Sequence, residues 1–137
     1  MPSQPVPGPS DGATPAASPL VLLVDDEPSI RETVSFLLEM EGFRVETARD
    51  GEEALAKICV FKPPVVLLDA MMPRRDGFDV CRTVKADPAL ADVKVIMLTA
   101  LGQKADQERG LAAGADFYVT KPFDEDELLS LLRRLTA

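Results

Sequence analysis

The sequence predicts an α/β fold, a single parallel sheet with helices on both faces, and three observations predict it. Short aliphatic and β-branched runs at residues 20–24, 65–68 and 93–98 read as strands buried in the sheet, most plainly Val65, Val66, Leu67 and Leu68, which form an unbroken apolar series. Between the runs lie stretches whose apolar residues recur at helical spacing. Finally, the runs end in polar groups of complementary chemistry. The first leads into Asp25, Asp26 and Glu27, the second into Asp69, and the third into Thr99 and Ala100. A fourth strand-like segment, residues 117–119, is followed by Thr120, Lys121, Pro122 and Phe123. Open parallel sheets bind ligands outside the carboxyl ends of their strands, so carboxylates, a hydroxyl and an ammonium converge on one edge.

Each element has its own justification. Pro28 sits early in the first helix, where a missing N–H costs least. Ile30, Val34, Leu37 and Leu38 form that helix's buried stripe, and Gly42 closes it as a left-handed residue. Residues 43–47 alternate as a half-exposed second strand. The second helix is expected near 52–61 with Ala54, Leu55 and Ile58 inward, and Pro63 and Pro64 forbid its continuation. A third helix is expected near 78–85, followed by a loop at Asp87 and Pro88. A fourth spans about 103–113 and stops at Gly114. Asp124 caps the fifth, with Glu127 in capping-box register and Leu128, Leu131, Leu132 and Leu135 on its apolar face. Five βα units with short connections imply right-handed crossovers.

A chain of 137 residues suits one compact domain. Residues 1–18 carry Pro2, Pro5, Pro7, Pro9 and Pro15 among small polar residues, too little apolar surface to offset ordering entropy. They read as a disordered tail, or as a docking segment that folds on a partner, ahead of a domain at 19–137. A net charge of −8 argues against direct nucleic-acid binding, which needs a basic surface. No run approaches the roughly 20 apolar residues of a membrane span, and no secretory signal opens the chain, so a cytoplasmic location is expected. Cys59 and Cys81 fall in helical patterns and read as reduced and structural. Without histidine or paired cysteine spacing, zinc binding is not expected. The chain also cannot hold a phosphohistidine of its own.

The pattern Asp25 and Asp26, then Asp69, then Thr99 and Ala100, then Lys121, Pro122 and Phe123, each at a strand end and in this order, resembles the response-regulator receiver domain of bacterial two-component signalling. The likeness runs from about Pro19 onward. It implies the flavodoxin-like strand order 2-1-3-4-5, with the first and third strands flanking the switch point where Asp26 and Asp69 sit. It also implies that Asp69 accepts a phosphoryl group from a sensor histidine kinase or histidine phosphotransfer protein. Mg²⁺ would be bound by Asp26, Asp69 and the Met71 carbonyl, with Asp25 acting through water. Adjacent Asp residues point to opposite sides of a regular strand, so Asp25 and Asp26 share a site only if the backbone turns there. Glu27 reads as a solvated or first-turn acid. Lys121 and Thr99 would contact the phosphoryl oxygens, and small Ala100 would leave the acceptor reachable. The family often has a cis peptide at the position of Pro122. Thr99 and Tyr118 would form the switch; alternatively Tyr118 is an edge-strand aromatic packed on a helix.

Other readings carry specific requirements. A haloacid-dehalogenase-type phosphatase also uses a strand-end Asp, but places a second Asp two residues later, where this chain has Met71. A slow, self-limiting phosphoprotein is therefore expected rather than a turnover enzyme. A nucleotide hydrolase would need a Gly-x-x-x-x-Gly-Lys-Ser/Thr loop, which is missing. A degenerate receiver acting as a constitutive binding module would lack the acceptor, the acid pair or the lysine, and all are present. The salt-bridged dimer of winged-helix regulators is not expected, because Gln107, Phe117 and Leu131 replace some of its charges; a monomer or weak dimer binding a downstream protein target is. No output domain follows the fifth helix in this sequence, which reads as a stand-alone receiver or one trimmed before such a domain.

Overall fold

The computed structural model describes residues 18–72, 76–100 and 104–136. The expected tail at 1–18 therefore lies almost wholly outside the described residues. The elements alternate as β1 (Leu20–Val24), α1 (Pro28–Met40), β2 (Arg44–Ala48), α2 (Gly51–Phe61), β3 (Val65–Asp69), α3 (Gly77–Ala86), a 3₁₀ turn (Pro88–Leu90), β4 (Lys94–Ala100), α4 (Lys104–Ala112), β5 (Phe117–Lys121) and α5 (Glu125–Thr136). All five strands are parallel, in the order β2-β1-β3-β4-β5.

Strand parity divides the core into two layers, because successive side chains point to opposite faces. Val21, Leu23, Val65, Leu67, Ile96 and Leu98 pack with α1 and α5 through Val34, Leu38, Leu128 and Leu132. Leu22, Val24, Val66, Leu68, Val95 and Met97 pack with α2 and α3 through Ala54, Ile58, Phe78 and Val84. Every residue of β3 is buried, as its unbroken apolar run requires. Burying one such Leu or Val contributes roughly 1.5–3 kcal/mol, so the centre of the sheet is the rigid base on which the strand ends stand.

The expected helix ends appear with their physical causes. Gly42 and Gly114 both take positive φ. Asp50, Asp76 and Asp124 accept from the backbone N–H of Glu53, Asp79 and Glu127, capping α2, α3 and α5. Helix α2 stops at Phe61, with Lys62 left-handed ahead of the two prolines. The second strand begins one residue later than expected. Phe43 turns into the α1/α5 layer, and the Arg44 N–H takes the first bond, to the Pro19 carbonyl. Strands β4 and β5 run two residues beyond the expected 98 and 119. Their ladder continues through Thr99↔Thr120 and Ala100↔Lys121, since backbone pairing ignores the change in side-chain polarity.

Candidate functional site

Four of the sequence-selected side chains meet at the carboxyl edge of the sheet. Asp25 is fully buried and held at four points. Its N–H donates to the Ala48 carbonyl at 3.1 Å, and its Oδ1 accepts from the Glu27 N–H at 3.0 Å. Its Oδ2 accepts from Lys121 Nζ at 3.0 Å, and its carbonyl accepts from Arg31 Nη1 at 2.6 Å. Asp26, the next residue, is exposed at the mouth. Asp69 is buried, its Oδ1 accepting from the Met71 N–H at 3.3 Å and lying 3.5 Å from Lys121 Nζ. Carboxylate oxygens of Asp25, Asp26 and Asp69 all fall within 4.8 Å of one another. The backbone turn that adjacent aspartates require is thus present after β1.

Parity explains part of the convergence. Asp25 follows Val21 and Leu23, and Asp69 follows Val65 and Leu67, so both continue the α1/α5 face, where Val119, two residues before Lys121, also packs. Three carboxylates against one ammonium leave the pocket with an excess of two negative charges when all are ionised. Burial pushes the Asp69 carboxyl up to about 6 despite Lys121, with Asp25 and Asp26 adding smaller repulsions. Burial depresses Lys121, but its hydrogen bond to Asp25 and the charge of Asp69 outweigh that and leave it raised. The oxygen-only donor set and the charge excess fit a small hard dication such as Mg²⁺.

Thr99 is buried, and its hydroxyl has no hydrogen-bond partner among the described residues. Such a donor is available to an incoming oxygen. With Asp69, Met71 and Lys121 it lines one end of an open groove of about 800 Å³ that continues along Ile30, Val34, Leu37 and Phe123. The side chain of Ala100 lies outside the described residues. Tyr118, half-buried, lies against α4: a Cβ on Gly110 would come within 2.4 Å of its Cε2. The helix-packing reading of Tyr118 therefore describes its surroundings, and the same position places it on the Thr99 side of the sheet. Glu27 is exposed and outside the carboxylate cluster. The Lys121–Pro122 peptide is cis. Cys81 is buried and Cys59 exposed, both as free thiols.

On the α4–β5–α5 side, Phe117 is exposed. Leu131 is instead a core residue beside Leu128 and Leu132, which explains its apolar character without an interface. The side chain of Gln107 lies outside the described residues. The sequence reading missed three contributors. Arg31 carries no signal, being one polar residue of an amphipathic helix. Gly77 is legible only as a turn glycine, yet a Cβ there would lie 2.3 Å from the Asp69 carbonyl oxygen. Gly110 looks like a weak point in α4 until Tyr118 is seen against it.

Residues 21–133 match the response regulator receiver domain family. The chain belongs to that family. It is 45% identical, over 117 residues, to the DNA-binding dual master transcriptional regulator RpaA of Synechocystis, covering 85% of this chain and 48% of that protein. It superposes on the signal receiver domain of a histidine kinase from Syntrophus aciditrophicus with a TM-score of 0.82 and 35% identity, covering 87% of this chain and 90% of that one. It also superposes on the receiver domain of the sensor histidine kinase PA1611 from Pseudomonas aeruginosa, solved with a magnesium ion coordinated in its active-site cleft. There the TM-score is 0.81 and the identity 32%, over 88% of this chain and 98% of that one. The receiver spans about half the length of the curated relatives it matches. Family membership favours the receiver reading over the dehalogenase-type one. Among the described residues, no helix is long and apolar enough to cross a membrane.

Proposed function

We propose that this receiver takes a phosphoryl group onto Asp69 from a phosphohistidine, with Mg²⁺ as cofactor, and signals by presenting a changed surface to a downstream protein. The observation that carries this reading is the meeting of Asp25, Asp26, Asp69 and Lys121 in one pocket. The donor, a sensor histidine kinase or histidine phosphotransfer protein, is another molecule or domain, because these 137 residues include no histidine. A carboxylate oxygen of Asp69 attacks phosphorus; an O–P bond forms as the N–P bond breaks, and its electron pair leaves on the imidazole nitrogen. Lys121, already 3.5 Å from Asp69, supplies a cation beside the arriving oxygens. Mg²⁺, when bound, supplies charge neutralisation for the phosphoryl oxygens. Asp26, Asp69 and the Met71 carbonyl would hold it directly, and Asp25 through water.

The product is an acyl phosphate, and Met71 offers no acid/base where a phosphatase of the dehalogenase type carries one. Slow autodephosphorylation follows. The Thr99 hydroxyl, without a partner among the described residues, would turn toward the new oxygens, which add about −1.5 to −2 charge units. Tyr118 then repacks in the space beside it, shifting a two-state equilibrium of α4, β5 and α5. Exposed Phe117 adds apolar area on that face for a protein partner, with the receiver a monomer or weak dimer. The charge of −8 supports a receiver that does not itself touch nucleic acid.

The test is incubation with acetyl phosphate and Mg²⁺, followed by intact mass measurement. One added phosphoryl group is expected on the wild type and none on Asp69→Asn. Equal labelling of both proteins would overturn the acceptor assignment.

A further inference from the structure

We propose that Arg31 is a positioning residue of the metal site, holding the turn after β1 that brings the Asp25 and Asp26 carboxylates into one pocket. The proposal rests on the Mg²⁺ reading above and extends it to a residue of α1 that no part of the strand-end pattern includes.

Asp25, the residue just after β1, still bonds the sheet through its N–H, to the Ala48 carbonyl. Beyond it the chain must leave the ladder, and the Asp25 carbonyl is left without a strand partner in a fully buried residue. A buried carbonyl without a donor is costly. Arg31, one turn into α1 and half-buried, supplies that donor at 2.6 Å. The same helical turn is anchored by the Arg31 N–H on the Glu27 carbonyl, and the Glu27 N–H closes back on Asp25 Oδ1. Residues 25–31 thus form a closed hydrogen-bonded loop with Arg31 as its strap. Regular strand geometry sends adjacent side chains to opposite faces. The strapped loop departs from it and leaves oxygens of Asp25, Asp26 and Asp69 within 4.8 Å.

Charge and position make opposite demands, which makes the role measurable. A guanidinium near a dication site repels the dication, so a residue present only as a charge would, on removal, leave a tighter metal site. A residue that orients the ligands leaves a weaker one, since loss of groups that orient metal ligands typically costs 10–100-fold in affinity. Lysine keeps the charge and one donor but not the fixed fork of guanidinium, so it restores the strap in part.

The experiment uses Arg31→Met, Arg31→Lys and the wild type at equal ionic strength. Mn²⁺ binding is followed by electron paramagnetic resonance of the free ion, and the rise in melting temperature is followed against added Mg²⁺. Arg31→Met is expected to bind roughly tenfold more weakly, with Arg31→Lys between it and the wild type. Acetyl phosphate labelling of Asp69 should need correspondingly more Mg²⁺ to reach half its limiting rate, with that limiting rate preserved. A uniformly lower melting temperature with an unchanged Mg²⁺-dependent increment would reduce Arg31 to a structural residue and overturn the proposal. Tighter binding in Arg31→Met would overturn it in favour of a charge role. If the wild type itself binds neither ion, the Mg²⁺ reading fails first, and with it this extension. Should Arg31→Met not fold, Arg31→Gln and Arg31→Lys carry the same comparison.

Discussion

Replacing Asp69 by Asn should stabilise the metal-free protein, and the gain should depend on pH. The Asp69 carboxyl titrates at about 6 in the folded state, raised from 3.8 mainly by burial. In the unfolded chain it is solvated and titrates near 4. A raised carboxyl makes folding less favourable wherever the unfolded chain is ionised, so stability falls as pH rises from about 4 through about 6, then levels. At about 1.4 kcal/mol per pH unit, the full cost above pH 6 is about 3 kcal/mol. Asn removes the charge while keeping an oxygen for the Met71 N–H, and Lys121 keeps its bond to Asp25. Asp69→Asn should therefore be about 3 kcal/mol more stable near pH 7.5, a rise on the order of 10 °C in melting temperature. The gain should shrink to nearly nothing by about pH 4. Urea unfolding of both proteins across that range, in chelator, measures it directly. Added Mg²⁺ should then close the gap, because it stabilises chiefly the wild type, by RT ln(1 + [Mg²⁺]/Kd). Equal or lower stability of Asp69→Asn near pH 7.5, or a gain equally large at pH 4, would refute the reasoning.

Three further outcomes follow from the packing. Gly77→Ala drives a Cβ to 2.3 Å from the Asp69 carbonyl, so it should cost about 1–3 kcal/mol in urea unfolding and slow Asp69 labelling together. Gly110→Ala should expel the Tyr118 ring from its seat on α4. Tyr118 is the sole tyrosine and there is no tryptophan, so iodide quenching of intrinsic fluorescence reads it alone and should rise in the variant before any phosphorylation. Ile58→Ala empties a fully buried site between α2 and the sheet and should cost about 2–5 kcal/mol, with the Asp69 labelling rate preserved in the protein that remains folded.

The sequence by itself determined the elements, and for local reasons. Unbroken apolar runs specified the sheet's buried strands; Gly42, Gly114, Asp124 and the prolines after α2 specified where helices begin and end, because caps and left-handed residues act within a few positions. Parity told which residues alternate within each strand, but the face that Asp25 and Asp69 share follows from the register that sets Val21 beside Val65 and Leu23 beside Leu67. The pattern of aspartates, threonine and lysine placed the family. Boundaries slipped where tertiary pairing outweighed side-chain character, as when β4 and β5 carried their ladder through Thr99 and Lys121. Only the tertiary structure brought Lys121 within 3.0 Å of Asp25, 96 positions apart in the chain. Burial of Asp69, the cause of its raised pKa, depends on how the strand ends and loops pack around it, which no residue type encodes. Arg31, Gly77 and Gly110 went unread for the same reason. A guanidinium on a carbonyl and a missing Cβ against a carbonyl or a ring are contacts between separate elements, and they acquire meaning only when those elements are packed together.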